Sequence, residues 1–136
     1  MNSEYGSNIG YYDVGGIEER KVKNLKKIMD ATGAVVVICS RANDLMGKEF
    51  NSLRINEIKK YGVEPLDSIT DFYFDESKAE PIKRWLKKNN SLDAKIVVID
   101  DCKDNLDQEF RNCFIHIKGK HGLTLRYVIG AIAILE

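Results

Sequence analysis

Ile96-Val97-Val98-Ile99-Asp100-Asp101 is the stretch on which the reading of this chain turns. Four consecutive branched apolar residues fit a strand buried on both faces, as in a parallel sheet covered by helices. The run stops at two adjacent carboxylates and a polar turn, Cys102-Lys103-Asp104-Asn105. Ligands in such sheets bind outside the carboxyl ends of the strands, which is where two acids would hold a divalent metal. The same acids equally serve as Asx-turns or as N-caps of a following helix, and the dipeptide alone leaves both readings open.

Working outward, helices and strands alternate. Val22, Leu25, Ile28 and Met29 recur at helical spacing among charged neighbours and stop at Gly33, predicting a helix over 17–32. A buried strand over 34–39 follows. Phe50, Leu53, Ile55, Ile58 and Tyr61 mark a second helix ending at Gly62, and 69–74 reads as another strand. Asp75 or Ser77 is placed to cap a third helix, with Pro81 in its first turn and Ile82, Trp85 and Leu86 as its buried stripe. After the strand at 95–99 come a short strand at 113–117 and, beyond Gly122-Leu123-Thr124, a final helix with Val128, Ile129, Ile132 and Leu135 facing inward. This order implies right-handed crossovers and a mostly parallel, Rossmann-like sheet, an α/β fold of the three-layer α/β/α sandwich type. The domain reading is an irregular N-terminal segment over 1–16 and a single α/β domain over 17–136.

Composition narrows the function classes. The 136 residues suit one domain with a real core. Lys and Arg total 21 and Asp and Glu total 21, which argues against broad electrostatic binding of nucleic acid while leaving room for a local patch. Three cysteines, Cys39, Cys102 and Cys113, form no C-x-x-C pair, so a reduced, cytoplasmic setting is expected. No apolar run reaches membrane-spanning length, and no cleavable signal is visible.

The blocks ATGAVVVICS, SKAEPIKRWL, KIVVIDD and FIHIKGKHGLT, in that order and followed by an apolar helix, resemble the haloacid dehalogenase-like (HAD) hydrolase superfamily. Within it, the chain is most similar to the small HAD domain found alone in bacteria or fused into multi-domain RNA repair proteins. The resemblance covers the chain from about residue 18 onward. It implies an aspartate at the end of a first strand that attacks a phosphoryl group, a second aspartate two residues later as general acid and base, and a bridging Mg²⁺. By position, Ser40 matches the hydroxyl residue that binds the transferred phosphoryl, with Cys39 as the neighbouring option. Lys78 resembles the lysine that neutralises developing charge, and Asp100 and Asp101 the acids that complete the Mg²⁺ site.

The departure from the family pattern concerns the first strand. An apolar run ending in Asp-x-Asp-Gly should precede the quoted blocks, yet the sequence opens Met1-Asn2-Ser3. The expectation is a chain N-terminally truncated or degenerate and inactive as it stands. A rival alignment lays Ile9-Gly10-Tyr11-Tyr12-Asp13-Val14-Gly15-Gly16-Ile17 on the motif, with Asp13 as nucleophile and Gly15 where the acid belongs. It leaves little room for the loop that shields such a site. In the family the absent strand is central, between the strands ending at Ser40 and at Asp100. A gap there would leave two rows of backbone groups without partners, at about 1–3 kcal/mol for each buried one. Residues 9–14, direct closure of the neighbours, or a strand from another chain, as in a homo-oligomer, would have to fill it.

Taken without the resemblance, the residues also bear plainer readings. Ser40 would end a strand, Lys78 would be one of several solvated charges, His116 a half-exposed sheet residue and His121 part of a surface turn. Trp85 and the tyrosines at 5, 11, 12 and 61 read as packing residues. Two functions follow: a HAD-like phosphohydrolase acting on nucleic-acid ends or small phosphoesters, or a non-catalytic phosphate-binding or protein-interaction domain on that scaffold.

Overall fold

The computed structural model describes residues 19–39, 45–70, 72–118 and 121–136, leaving aside the side chains at 45–48, 50 and 51. Helix α1, Glu19–Thr32, buries Val22, Leu25 and Ile28 at three-residue spacing. It stops at Gly33, whose φ of +74° lets its N–H close back on Met29 O at 2.7 Å. Strand β1, Val37–Cys39, leads to α2, Leu45–Lys60, which turns off at Gly62 with φ +98°. Then come β2, Asp67–Ile69, and α3, Ala79–Lys88, followed by β3, Val98–Asp100. A four-residue helix α4, Leu106–Glu109, strand β4, Phe114–His116, and α5, Leu125–Leu135, complete the chain.

Both strand pairs are parallel, as expected. Val37, Ile38 and Cys39 stand opposite Asp67, Ser68 and Ile69, and Val98, Ile99 and Asp100 opposite Phe114, Ile115 and His116. Among the described residues they form two two-stranded sheets, β1-β2 and β3-β4. Direct closure between β1 and β3 does not occur among the described residues, where β1 pairs with β2 and β3 with β4.

Two apolar clusters pack against these strands. One joins α1, α2 and α5 through Val22, Leu25, Ile28, Ile58, Val128 and Ala131, and takes in Ile38 and Ile99. The other joins α3 and α4 through Ala79, Leu86, Leu106 and Phe110, with Ile96, Val98 and Phe114 against it. Ile99 goes to one cluster and its neighbours Val98 and Asp100 point elsewhere, as the period of two requires of a strand covered on both faces. No helix among the described residues is long and apolar enough to cross a membrane.

Three expectations are corrected. Strand β2 lies at Asp67–Ile69 and not over 69–74, because pairing begins where Leu66 N–H reaches Val36 O at 2.7 Å. The apolar-looking Tyr73-Phe74 belongs to an irregular connection in which Asp75 takes φ +60°; Phe74 is fully exposed and Tyr73 carries the Arg84 guanidinium 4.1 Å from its ring centre. In α5, Ile129 is 70% exposed, since the inward stripe runs through Val128, Ala131, Ile132 and Leu135 and leaves position 129 one step around the helix. The start of α3 has no side-chain cap from Asp75 or Ser77.

Candidate functional site

The start of α3 is capped from a distance. Lys78 N–H donates to Asp104 Oδ2 at 3.0 Å, a carboxylate 26 residues downstream, in the turn between β3 and α4. That turn is held in a demanding shape, with Asp104 at φ +35° and Asn105 at φ +69°. Both residue types tolerate left-handed backbone better than most. A carboxylate at a helix N-terminus meets the positive end of the helix dipole.

A lysine at that same N-terminus meets an unfavourable field, so Lys78 needs an anion. Asp100 supplies it: Lys78 Nζ donates to Asp100 Oδ2 at 2.7 Å, with the two residues 6% and 4% exposed. The other carboxylate oxygen of Asp100 accepts the Cys102 N–H at 2.9 Å. Asp100 is therefore at once the Asx-turn acid and one half of a buried ion pair. Lys78 is not the solvated helix-start charge that its acidic neighbours suggested. Asp101 is half-buried, and its carbonyl lies 2.9 Å from His116 Nε2, which ties the end of β3 to β4. The Cys102 thiol is pushed above its usual range, first by burial and then by the nearby Asp100 charge.

Of the residues singled out from sequence, Lys78 and Asp100 are brought together, and Asp101 is next to them in the chain. Ser40 and Asp13 lie outside the described residues. Cys39 ends β1 and lines, with Asp100, a cavity of about 420 Å³ between the two sheets. Sequence reasoning missed the role of Asp104, although the Asp104-Asn105 pair, four residues beyond the strand-ending Asp100, is a turn signal that could have pointed to it.

Mg²⁺ would need several oxygen donors converging on one point. Among the described residues no group of three or more His, Cys, Asp or Glu converges as a metal ligand set. Both oxygens of Asp100 already accept hydrogen bonds, and a hard cation of this kind takes about six oxygens. The described residues alone do not fit Mg²⁺.

A family model described as the HAD domain in Swiss Army Knife RNA repair proteins matches residues 2–128. No curated protein and no solved structure matches the chain. The chain belongs to that HAD family.

Proposed function

We propose, from this membership, that the domain engages the phosphorylated end of an RNA or a small phosphoester as a HAD-like phosphohydrolase. The observation that supports this reading best is the buried Lys78–Asp100 pair at the carboxyl end of β3. A lysine ammonium has three donors and Asp100 takes one, so Lys78 is a fixed cation with donors left for the oxygens of a phosphoryl group. Asp100 holds that ammonium in place, and Asp104 fixes the backbone from which it extends. Ser40 is assigned to the phosphoryl oxygens by family position. By family position Asp100 and Asp101 would hold Mg²⁺ together with residues outside the described set, and the ion would neutralise phosphoryl charge.

Attack on phosphorus falls to Asp13, the carboxylate that the rival alignment places at the nucleophile position. Gly15 follows it where the family's general acid and base would stand, so protonation of the leaving group and activation of water are left to solvent. Slow turnover is the consequence, because general acid-base catalysis is worth about 10²–10⁴-fold. A second reading is a domain that holds phosphate without hydrolysing it, with Lys78 as the cation that meets the phosphate. A cytoplasmic setting is part of both.

The test compares an oligoribonucleotide carrying a terminal phosphate with its dephosphorylated counterpart, in Mg²⁺. The phosphorylated end is expected to bind at least about tenfold tighter, and Lys78→Gln to remove the difference. Equal binding of the two ends would sink the proposal. Slow phosphate release that Asp13→Asn abolishes identifies the hydrolase; binding with no release identifies the holding domain.

A further inference from the structure

Phe74, in the connection between β2 and α3, is 100% exposed, so both faces of its ring are open to solvent. Single exposed apolar residues are ordinary on a protein surface, and exposure alone would say nothing. The backbone that presents this one, however, is fixed. Asp75 takes φ +60° directly after it, and across the turn Tyr73 N–H donates to Glu76 Oε1 at 2.9 Å. Glu76 in turn accepts from the Arg84 guanidinium with both oxygens, at 2.6 and 2.9 Å, and the same guanidinium lies 4.1 Å from the Tyr73 ring centre. Arg84 thus anchors the residues on either side of Phe74-Asp75 to the body of α3. A ring on a loose loop could fold back onto apolar surface. This turn is pinned at both ends and holds the ring out in water, and a surface set in place beforehand loses less freedom when it is occupied.

Placement gives the ring a neighbour. The connection that carries Phe74 runs directly into Lys78 at the start of α3, and Lys78 is bonded to Asp100 at the carboxyl end of β3. Four residues separate positions 74 and 78, at most about 14 Å of extended chain. Two turns shorten that path, one closed by Glu76 N–H on Tyr73 O and the other by Glu80 N–H on Ser77 O. An open aromatic face therefore stands beside a buried ammonium that has donors to spare.

We propose that Phe74 is the stacking platform for the base of the terminal nucleotide whose phosphate Lys78 receives, which makes the ligand a phosphorylated RNA end and not a phosphoester lacking a base. The proposal rests on the phosphoryl reading of Lys78 given above. Every base has a flat π-face, so an aromatic platform binds the end of a strand without reading its sequence. Tyr73 has a cation over its ring, and Phe74 is the wholly open one. Charge sets the order of the two contacts. The exposed Asp75 next to Phe74 repels a phosphate and tolerates a neutral base, whereas the cation at Lys78 attracts the phosphate. The surroundings also suit a planar ligand better than a protein partner. Asp75, Glu76 and Ser77 follow Phe74 directly, so the ring is not part of the broad apolar face that a protein interface core requires.

The test measures binding of the full chain to an oligoribonucleotide with a terminal phosphate and to the same oligonucleotide whose terminal nucleotide lacks its base. The base is expected to strengthen binding at least about fivefold, the lower end of what one stacked base contributes. Phe74→Ala is expected to erase that gain while leaving the preference for phosphate on the abasic end intact, and Phe74→Trp to keep the gain. A 5-iodouridine at the terminal position is expected to crosslink to Phe74 on irradiation. Because the ring buries nothing, Phe74→Ala is also expected to keep the urea midpoint of the unaltered chain. A base-dependent gain that survives Phe74→Ala overturns the proposal, and so does an equal loss at both ends, which would make Phe74 a support of the fold. Crosslinking to another residue alone overturns it, as does a lowered urea midpoint. Preserved phosphate preference with no gain from the base removes this proposal and leaves the phosphoryl reading standing. Equal binding of phosphorylated and dephosphorylated ends by the unaltered chain removes both.

Discussion

Lys78 and Asp100 are each taken out of water, and removing either leaves the other as an uncompensated buried charge. Lys78→Met is therefore expected to cost about 3–5 kcal/mol in urea denaturation, whereas Lys26→Met, which breaks an exposed pair with Asp30 at 3.5 Å, should change stability by less than about 0.5 kcal/mol. The double change Lys78→Met with Asp100→Leu recovers part of the loss, because no orphan charge remains. Cys102 offers a second observable at this scale. Its thiol is raised mainly by desolvation, and thiolate is the reactive form, so alkylation by iodoacetamide should reach half its limiting rate at higher pH than in the unfolded chain. Asp100→Asn should relieve only the smaller, charge-borne part of that shift.

Among the elements, α3 is tied to its surroundings at several points along its length. Trp85 Nε1 donates to Asp67 Oδ2 at 2.7 Å, linking α3 to β2, and Lys83 pairs with Glu109 of α4. The indole bond, helped by the Ser68 N–H, holds the Asp67 carboxyl below its usual range. Its folded value being depressed, the link is present above the ordinary carboxylate value and is lost as pH falls through the lower folded one. Trp85 is the single tryptophan, so its emission should titrate with a midpoint below that of a free aspartate, and Asp67→Asn should abolish the step. At the end of α1, Gly33 sits at φ +74° with open space around it, so Gly33→Ala should cost about 1 kcal/mol from backbone strain alone, read as a lowered urea midpoint.

Most of these elements were legible in the sequence because their patterns are long. Val22, Leu25 and Ile28 with Gly33 define α1, and the run ending at Asp100 locates β3. Short or conflicted signals failed. Tyr73-Phe74 has strand-like composition, but its backbone must bend toward α3, and α4 is too short to show a period. Lys78 could be marked only by resemblance, since local charge density says nothing of an acid 22 residues away. Asp104 acts through its place in the fold.

For the whole molecule, β3 and β4 are shared between the two cores, giving Ile99 and Ile115 to one and Val98 and Phe114 to the other. Loss of either core deprives β3 of one face, so unfolding should be a single transition. Trp85 emission, which reports the α3 side, and far-ultraviolet circular dichroism, dominated by α1, α2 and α5, should melt at one midpoint. Two separated midpoints would mean that the halves unfold independently.

The cap that Asp104 provides to α3 has a consequence for biosynthesis. A chain is made from its amino end, so α3 leaves the ribosome before the residue that satisfies its first N–H. Until position 104 has emerged, the opening turn of α3 frays, and with it the backbone that carries Lys78. A translational pause after α3 has cleared the exit tunnel and before residue 104 has done so would hold the nascent chain in that frayed state, with Trp85 and Leu86 exposed to whatever chaperone waits at the tunnel exit.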